Sequence, residues 1–237
     1  MTNKPVIFKA SYITPEGYGS SSFGSKNWLD ESGKPCVNKD LMSIKWSTLF
    51  SSSCSRFGRM DPLSRLGLLT TELFDIDFAN QSDEENNQTG FCMASNYGTI
   101  STDIKFLQNI SPSTFVYTLP SSVMGEVCIR HKLRGPCLCL MSHGNDGQNV
   151  IQEACERIEM GEATSMLCLF CDIRTDDAQQ YSKSTLDKNI NFWWYSYGLY
   201  LTENDIACGE GKPFGNITSE MDIRQICLNL CNNVEAL

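Results

Sequence analysis

Cys137-Leu-Cys-Leu-Met-Ser-His-Gly-Asn-Asp-Gly147 is the stretch on which the reading of this chain turns. Residues 137–142 form a short, almost continuously apolar run, the pattern of a strand buried on both faces of a sheet. Gly144-Asn-Asp-Gly147 predicts a tight turn. From there to residue 160, Val150, Ile151, Ala154, Cys155 and Ile158 recur at helical spacing. Strand, turn and helix in this order make an elbow, which presents one residue where backbone N–H groups at a helix start can stabilise an anion. Enzymes place a Ser or Cys nucleophile at such elbows.

Toward the C-terminus, residues 165–172 read as a second buried strand and 175–188 as a polar, exposed segment. Residues 192–201 predict a strand rich in aromatics. Its Phe192-Trp-Trp-Tyr195 run suits a buried strand first and a partner surface second. An edge strand is expected at 213–217, and Ser219-x-x-Asp222 resembles a capping box opening a last helix over 220–232. Toward the N-terminus, 120–131 predicts a helix with Val123, Met124, Val127 and Cys128 on one face, broken by Arg134-Gly-Pro136. A helix over 101–108 offers Ile104, Phe106 and Leu107 for burial, and 90–95 reads as a buried strand turned by Gly98. Residues 81–89 are expected to be a solvated acidic loop. Asp61 and Pro62 fit the cap and first position of a helix ending near Phe74. Residues 1–58 look loop-rich, with one strand at 6–13 and a Gly/Ser-rich stretch at 17–25. Alternating strands and helices predict an α/β layer fold with a mostly parallel sheet.

Composition narrows the function classes. The 237 residues suit one large domain or two small ones. The net charge, 19 − 28 = −9, argues against nucleic acid and anionic membrane surfaces as partners. No apolar run approaches the ~20 residues that span a bilayer. The N-terminus lacks a secretory signal, so the twelve cysteines, mostly in apolar runs, read as reduced core thiols of a cytoplasmic protein. Cys168-x-x-Cys171 has metal-like spacing, but three residues apart on a strand point to opposite faces. No metal or cofactor is therefore expected.

Several segments, in order, resemble the β-ketoacyl synthases. Arg59-Met60 with Ser64-Arg-Leu66 resembles an early Arg-Met-x-x-x-Ser-Arg-Leu segment. Pro112-Ser-Thr-Phe-Val-Tyr-Thr-Leu-Pro120, Met124-Gly-Glu-Val-Cys-Ile-Arg130 and Leu133-Arg-Gly-Pro136 are more similar still. Glu162-Ala163 with the strand to Asp172, and Tyr197-Gly-Leu-Tyr-Leu201 followed by Gly211-Lys-Pro213, match later segments. The resemblance spans about residues 1–218 and is nearest to the β-ketoacyl synthase-like N-terminal domains, which include chain-length-factor-like proteins of aryl polyene and flexirubin-type pathways. It implies an α/β, thiolase-like half with a mixed, mostly parallel five-stranded sheet. Residues 219–237 would add a C-terminal helix, part of the same domain or covering its open face.

Two departures set the expected function. The family's nucleophilic Cys falls eight residues after the Gly-Pro, which here is Gly144. Ser142, His143, Asn145, Asp146 and Gly147 surround it. Ser142 and His143 are adjacent on an extended chain and point apart, so neither activates the other. Cys137 and Cys139 lie upstream and read as core residues, whereas Gly147 matches a small residue where helix packs on strand. The chain also stops where the first of two similar halves would stop, before the family's active-site histidines, with which neither His131 nor His143 aligns. No catalytic residue is assigned. The expected role is a non-catalytic, chain-length-factor-like partner in fatty acid or polyketide synthesis, docked on a ketosynthase subunit. The alternatives are a self-associating module binding acyl chains or an acyl carrier protein and, more remotely, a residual acyltransferase. Interface candidates are Phe115, Tyr117, Thr118, Leu119, Pro120, Met124 and Met141. Phe115, Met124 and Met141 would limit acyl length or simply pack the core. Arg130, His131, Lys132 and Arg134 form the basic cluster for an acidic carrier protein, or a solvated helix end.

Overall fold

A computed structural model describes residues 4–30, 32–36, 39–141, 147–174, 193–203 and 222–233. Its strands are β1 (Pro5–Ile13), β2 (Gly17–Ser20), β3 (Gly24–Asn27), β4 (Thr89–Ser95), β5 (Cys137–Met141), β6 (Ser165–Arg174) and β7 (Trp193–Glu203). They form one sheet in the order β3-β2-β1-β7-β6-β4-β5. This is seven strands where five were expected. The extra hairpin, β2–β3, arises from the Gly/Ser-rich stretch read as loop. Glycine is a weak strand former, but here it is required, since a side chain at Gly17 would strike the Lys26 carbonyl and one at Gly19 the Tyr12 ring.

The sheet is mixed. β4 pairs parallel with both β5 and β6, and the other four ladders are antiparallel. The expected parallel character is confined to this block. There, each crossover carries the chain over a face through a helix. β7 instead runs back directly along β6, and β1 pairs antiparallel with β7.

Helices cover both faces. α1 (Trp46–Leu49), α2 (Pro62–Glu72) and α6 (Ser122–His131) lie on one side, and α7 (Gln148–Glu159) and the last helix, α8 (Ile223–Asn232), on the other. The period-2 alternation of the strands sorts the two cores. Phe91, Met93, Leu167, Leu169 and Cys171 pack toward α2 and α6, whereas Cys92, Ala94, Met166, Cys168 and Phe170 pack toward α7 and α8. Cys168 and Cys171 thus face opposite sides of the sheet. α2 starts as its sequence dictates. Pro62 takes the first turn, and Asp61 accepts from the Leu63 and Ser64 amides at 3.2 and 3.1 Å. A side chain at Gly67 would strike Val123, so α2 and α6 approach closely there.

Three segments differ from expectation, and a short further helix adds to it. The acidic stretch contains α3 (Asp83–Gln88), held by a capping box rather than by apolar periodicity. Ser82 Oγ accepts from Glu85 N at 3.2 Å and Glu85 Oε2 from Ser82 N at 2.7 Å. α4 (Ile100–Gln108) turns Thr102 inward, where its hydroxyl donates to Asp61 Oδ2 at 3.2 Å, and leaves Leu107 75% exposed. Residues 112–115 form the short α5 (Pro112–Phe115). Finally, α8 is capped by Asp222, which accepts from the Arg224 amide at 2.8 Å, so the helix starts later than Ser219 implied. The expected strand at 213–217 and the segment 175–188 lie outside the described residues.

Candidate functional site

The elbow is built from β5, Gly147 and α7. β5 is the last strand of the sheet, and no described strand pairs with its outer edge. Its residues are exposed or half-buried along their whole length. This corrects the expectation of a strand buried on both faces, because an apolar run reads the same whether its neighbour lies in the same chain or is still to be supplied. Leu138 and Leu140 pack toward α7, and Cys139 toward α6. Cys137, read as core, is exposed. Gly147 caps α7 at φ 79°, and a side chain there would strike Ile223 and come within 3.0 Å of Phe170. The glycine therefore lets the start of α7 press onto β6 and α8. Ser142, His143, Gly144, Asn145 and Asp146 lie outside the described residues.

The carboxyl ends of β4 and β6 meet beside this elbow. The crossovers that leave β4 and β5 depart to opposite faces through α6 and α7, and beside such a switch the carboxyl ends of the strands form a natural crevice. The fold fills it with a polar knot. Asp172 is fully buried, and its Oδ1 accepts from Ser95 Oγ at 2.5 Å, Asn96 N at 2.8 Å and Tyr97 N at 3.0 Å. Its Oδ2 accepts from Tyr195 Oη at 2.8 Å. Ser95 Oγ in turn accepts from Gly98 N at 2.8 Å. Burial pushes the Asp172 pKa up against the pull of these hydrogen bonds. The knot fixes the turn 96–98, and a side chain at Gly98 would meet Pro120 at 3.1 Å and Met141 at 3.3 Å. Sequence reasoning missed Asp172. Its signal was a lone carboxylate inside the apolar run 166–173.

The interface candidates divide. Phe115, Leu119 and Met141 are exposed large apolar residues, 59%, 60% and 50% accessible. Pro120 and Met141 both abut Gly98. Thr118 is half-buried, and its carbonyl accepts from Thr99 Oγ1 at 2.8 Å. Tyr117 Oη donates to the buried Glu126 at 2.8 Å, which also receives Arg56 at 2.8 Å. Met124 is half-buried and packs against the core between sheet and α6. Residues 115–120 form the end of α5 and the turn after it, and the strand in this region is β5.

The basic cluster is not a patch. Arg130 binds Glu72 at 2.7 Å and the Ser53 carbonyl at 2.9 Å. Arg134 pairs with Asp83 at 3.0 Å. Lys132 turns the chain after α6 at φ 58°. His131 is buried against Phe78, 3.4 Å from Thr71 Oγ1, at the amino end of β5 and hence far from the elbow. Burial and then the Arg130 charge push its pKa down to about 4, so it is neutral.

With this geometry in hand, comparison with known proteins is decisive for the family. The model of the β-ketoacyl synthase N-terminal domain matches residues 40–182. The chain belongs to this family. A comparison with curated protein sequences gives no match. Among solved structures, the ishigamide ketosynthase/chain length factor is 16% identical, with a TM-score of 0.64 over 85% of this chain and 63% of that one. A β-ketoacyl synthase from Burkholderia phymatum STM815 is 16% identical, with a TM-score of 0.62 over 89% of this chain and 62% of that one. The ketosynthase ApeO in complex with its chain length factor ApeC, from Xenorhabdus doucetiae, is 18% identical, with a TM-score of 0.54 over 85% of this chain and 79% of the matched one. At such identities the likeness is one of fold. The β-ketoacyl synthase-like chain spans less than two thirds of the first two relatives named. Among its described residues, no helix is long and apolar enough to cross a membrane.

Proposed function

We propose that this β-ketoacyl synthase-like chain is a non-catalytic, chain-length-factor-like subunit of a fatty acid or polyketide assembly line of the aryl polyene or pigment type. It docks on a ketosynthase through the β5 edge. The observation that carries this reading is the outer edge of β5, with which no described strand pairs and which exposed Met141 borders. An edge strand offers a row of main-chain donors and acceptors to another chain. Phe115 and Leu119, on the segment leading into α6, add apolar surface of the kind that marks a protein interface. Absence of chemistry is inferred from Gly144, which occupies the aligned place of the nucleophilic Cys and has no nucleophile to offer. Solved ketosynthase/chain length factor pairs provide the precedent for such a partnership.

The test is co-expression of the tagged full chain with any ketosynthase found in the neighbouring reading frames. A stoichiometric complex is expected by size exclusion. Leu119→Glu together with Met141→Glu should weaken it at least tenfold while circular dichroism stays unchanged. A chain that runs as a clean homodimer and ignores the ketosynthase sinks the reading and favours self-association through the same edge. Release of a condensation product by the chain alone contradicts the non-catalytic role.

A further inference from the structure

Cys128 and Cys137 stand nine residues apart, on either side of the Arg134-Gly-Pro136 break. The fold returns them to each other. α6 ends at His131, the chain reverses through Lys132 in the left-handed conformation, and β5 starts at Cys137 beneath the helix. The Cys128 and Cys137 Sγ atoms are 3.7 Å apart, and the Cys137 thiol also donates to the Gly135 carbonyl at 3.4 Å.

This approach is fixed by backbone. Leu133 N donates to Cys128 O at 3.0 Å, Gly135 N to Thr89 O at 3.1 Å and Phe91 N to Pro136 O at 2.8 Å. A side chain at Gly135 would come within 2.6 Å of the Thr89 carbonyl. Among the described cysteines, accessibility singles out Cys137, which is exposed, and Cys128 is half-buried like Cys36, Cys54, Cys139 and Cys155. Cys92, Cys168, Cys171, Cys227 and Cys231 are buried. Cys137 shares its face of β5 with Cys139, toward α6, so its thiol does not point along the edge at which a partner strand would pair.

We infer that Cys128 and Cys137 are an oxidisable dithiol, which a hydroperoxide converts to an intramolecular disulfide that clamps α6 to β5. The Cys137 thiolate attacks the O–O bond. One oxygen stays on sulfur as a sulfenic acid, and the other leaves as the alcohol, or as water from hydrogen peroxide, after taking a proton. The Cys128 sulfur then gives up its proton, attacks the sulfenic sulfur and expels water. Two thiols and one hydroperoxide yield one disulfide, one alcohol and one water. The two sulfurs lose two electrons in all, which reduce the O–O bond. The sulfurs must close from 3.7 Å to about 2.0 Å, a movement within the reach of side-chain rotation. The division of roles agrees with the local electrostatics. The hydrogen bond from Cys128 lowers the Cys137 pKa to about 7, and that same contact, with burial, raises that of Cys128.

The inference concerns this chain alone and stands apart from the proposed partnership. The full-length protein is exposed to hydrogen peroxide, its remaining thiols are blocked with N-ethylmaleimide, and non-reduced tryptic peptides are sequenced by mass spectrometry. A peptide linked through Cys128 and Cys137, and lost on treatment with dithiothreitol, is the expected result. Cys139→Ser should retain it. Cys128→Ser should instead accumulate a dimedone-reactive sulfenic acid at Cys137. Wild-type protein that stays folded and free of this link, or that links Cys128 to Cys139 or Cys155, overturns the assignment.

Discussion

Acid should unfold this protein in part through one residue, His131. The ring is buried among Phe78, Thr71, Glu72 and Arg130. Glu72 Oε1, 3.9 Å away, favours the cation, but Arg130 already takes that carboxylate at 2.7 Å, and burial dominates. A fall from 6.5 to about 4 corresponds to roughly 3 kcal/mol of preference for the neutral ring in the folded state. Because the folded value is depressed, the unfolded chain binds the extra proton first. The stabilisation is therefore complete above pH ~6.5 and is lost as pH falls toward ~4. Between pH 7.5 and 5 the loss comes to about 2 kcal/mol, or about 1 M in urea midpoint at a slope of ~2 kcal/mol/M. Burial raises the pKa of Asp61 and Asp172, so these two groups contribute in the opposite sense, losing stabilisation as pH rises through their folded values. Both are present in wild type and in His131→Gln and cancel in the comparison. Urea unfolding of the two proteins at pH 7.5 and 5 is the assay, and only the difference between pH values is read, so a uniform cost of the substitution does not matter. Equal shifts, within about 0.5 kcal/mol, would refute the claim that His131 is held neutral by burial.

Three further outcomes follow from the same structure. Gly147→Ala combines a strained φ with a collision against Ile223 and Phe170 and should cost about 2–4 kcal/mol in chemical denaturation, whereas Gly161→Ala, at φ 72° in open space, should cost about 1. Asp172→Leu strands the Ser95 hydroxyl and the Asn96 and Tyr97 amides, an expected loss of about 3–5 kcal/mol, while Asp172→Asn keeps an acceptor there and should lose about 1. Ser82→Ala removes the cap of α3 and should cost about 1 kcal/mol, with faster amide exchange confined to residues 83–88.

How much of this was legible depended on whether the signal was local. α2 was readable because Asp61, Pro62 and the leucines after them state cap, first turn and buried face within a dozen residues. α3 was equally local, but its Ser82-x-x-Glu85 box lies in a run without apolar residues and went unread. β2 and β3 were hidden because glycine's lack of a side chain, which marks loops, also permits close strand approach. At the site, the strand and the helix of the elbow were visible in the spacing, and the close packing at Gly147 came from the family resemblance. Asp172 was not, since its partners lie 75 to 77 residues upstream and 23 downstream. The exposure of β5 was not visible either, because hydrophobicity reports that a strand wants cover and not whose cover it receives.

The two ends of the sheet differ in what they permit. β3 is four residues of glycine, serine, lysine and asparagine, bound at Ser25 to Asn232 of α8 at 2.5 Å. β5 is apolar, and no described strand covers its outer edge. Growth of the sheet by main-chain pairing is thus one-sided. Two such sheets joined β5 to β5 would present β3, the last described strand, at either end. Short, polar and already bound to α8, β3 is a poor template for a further strand, so the unequal edges favour a joint of two sheets over open-ended growth.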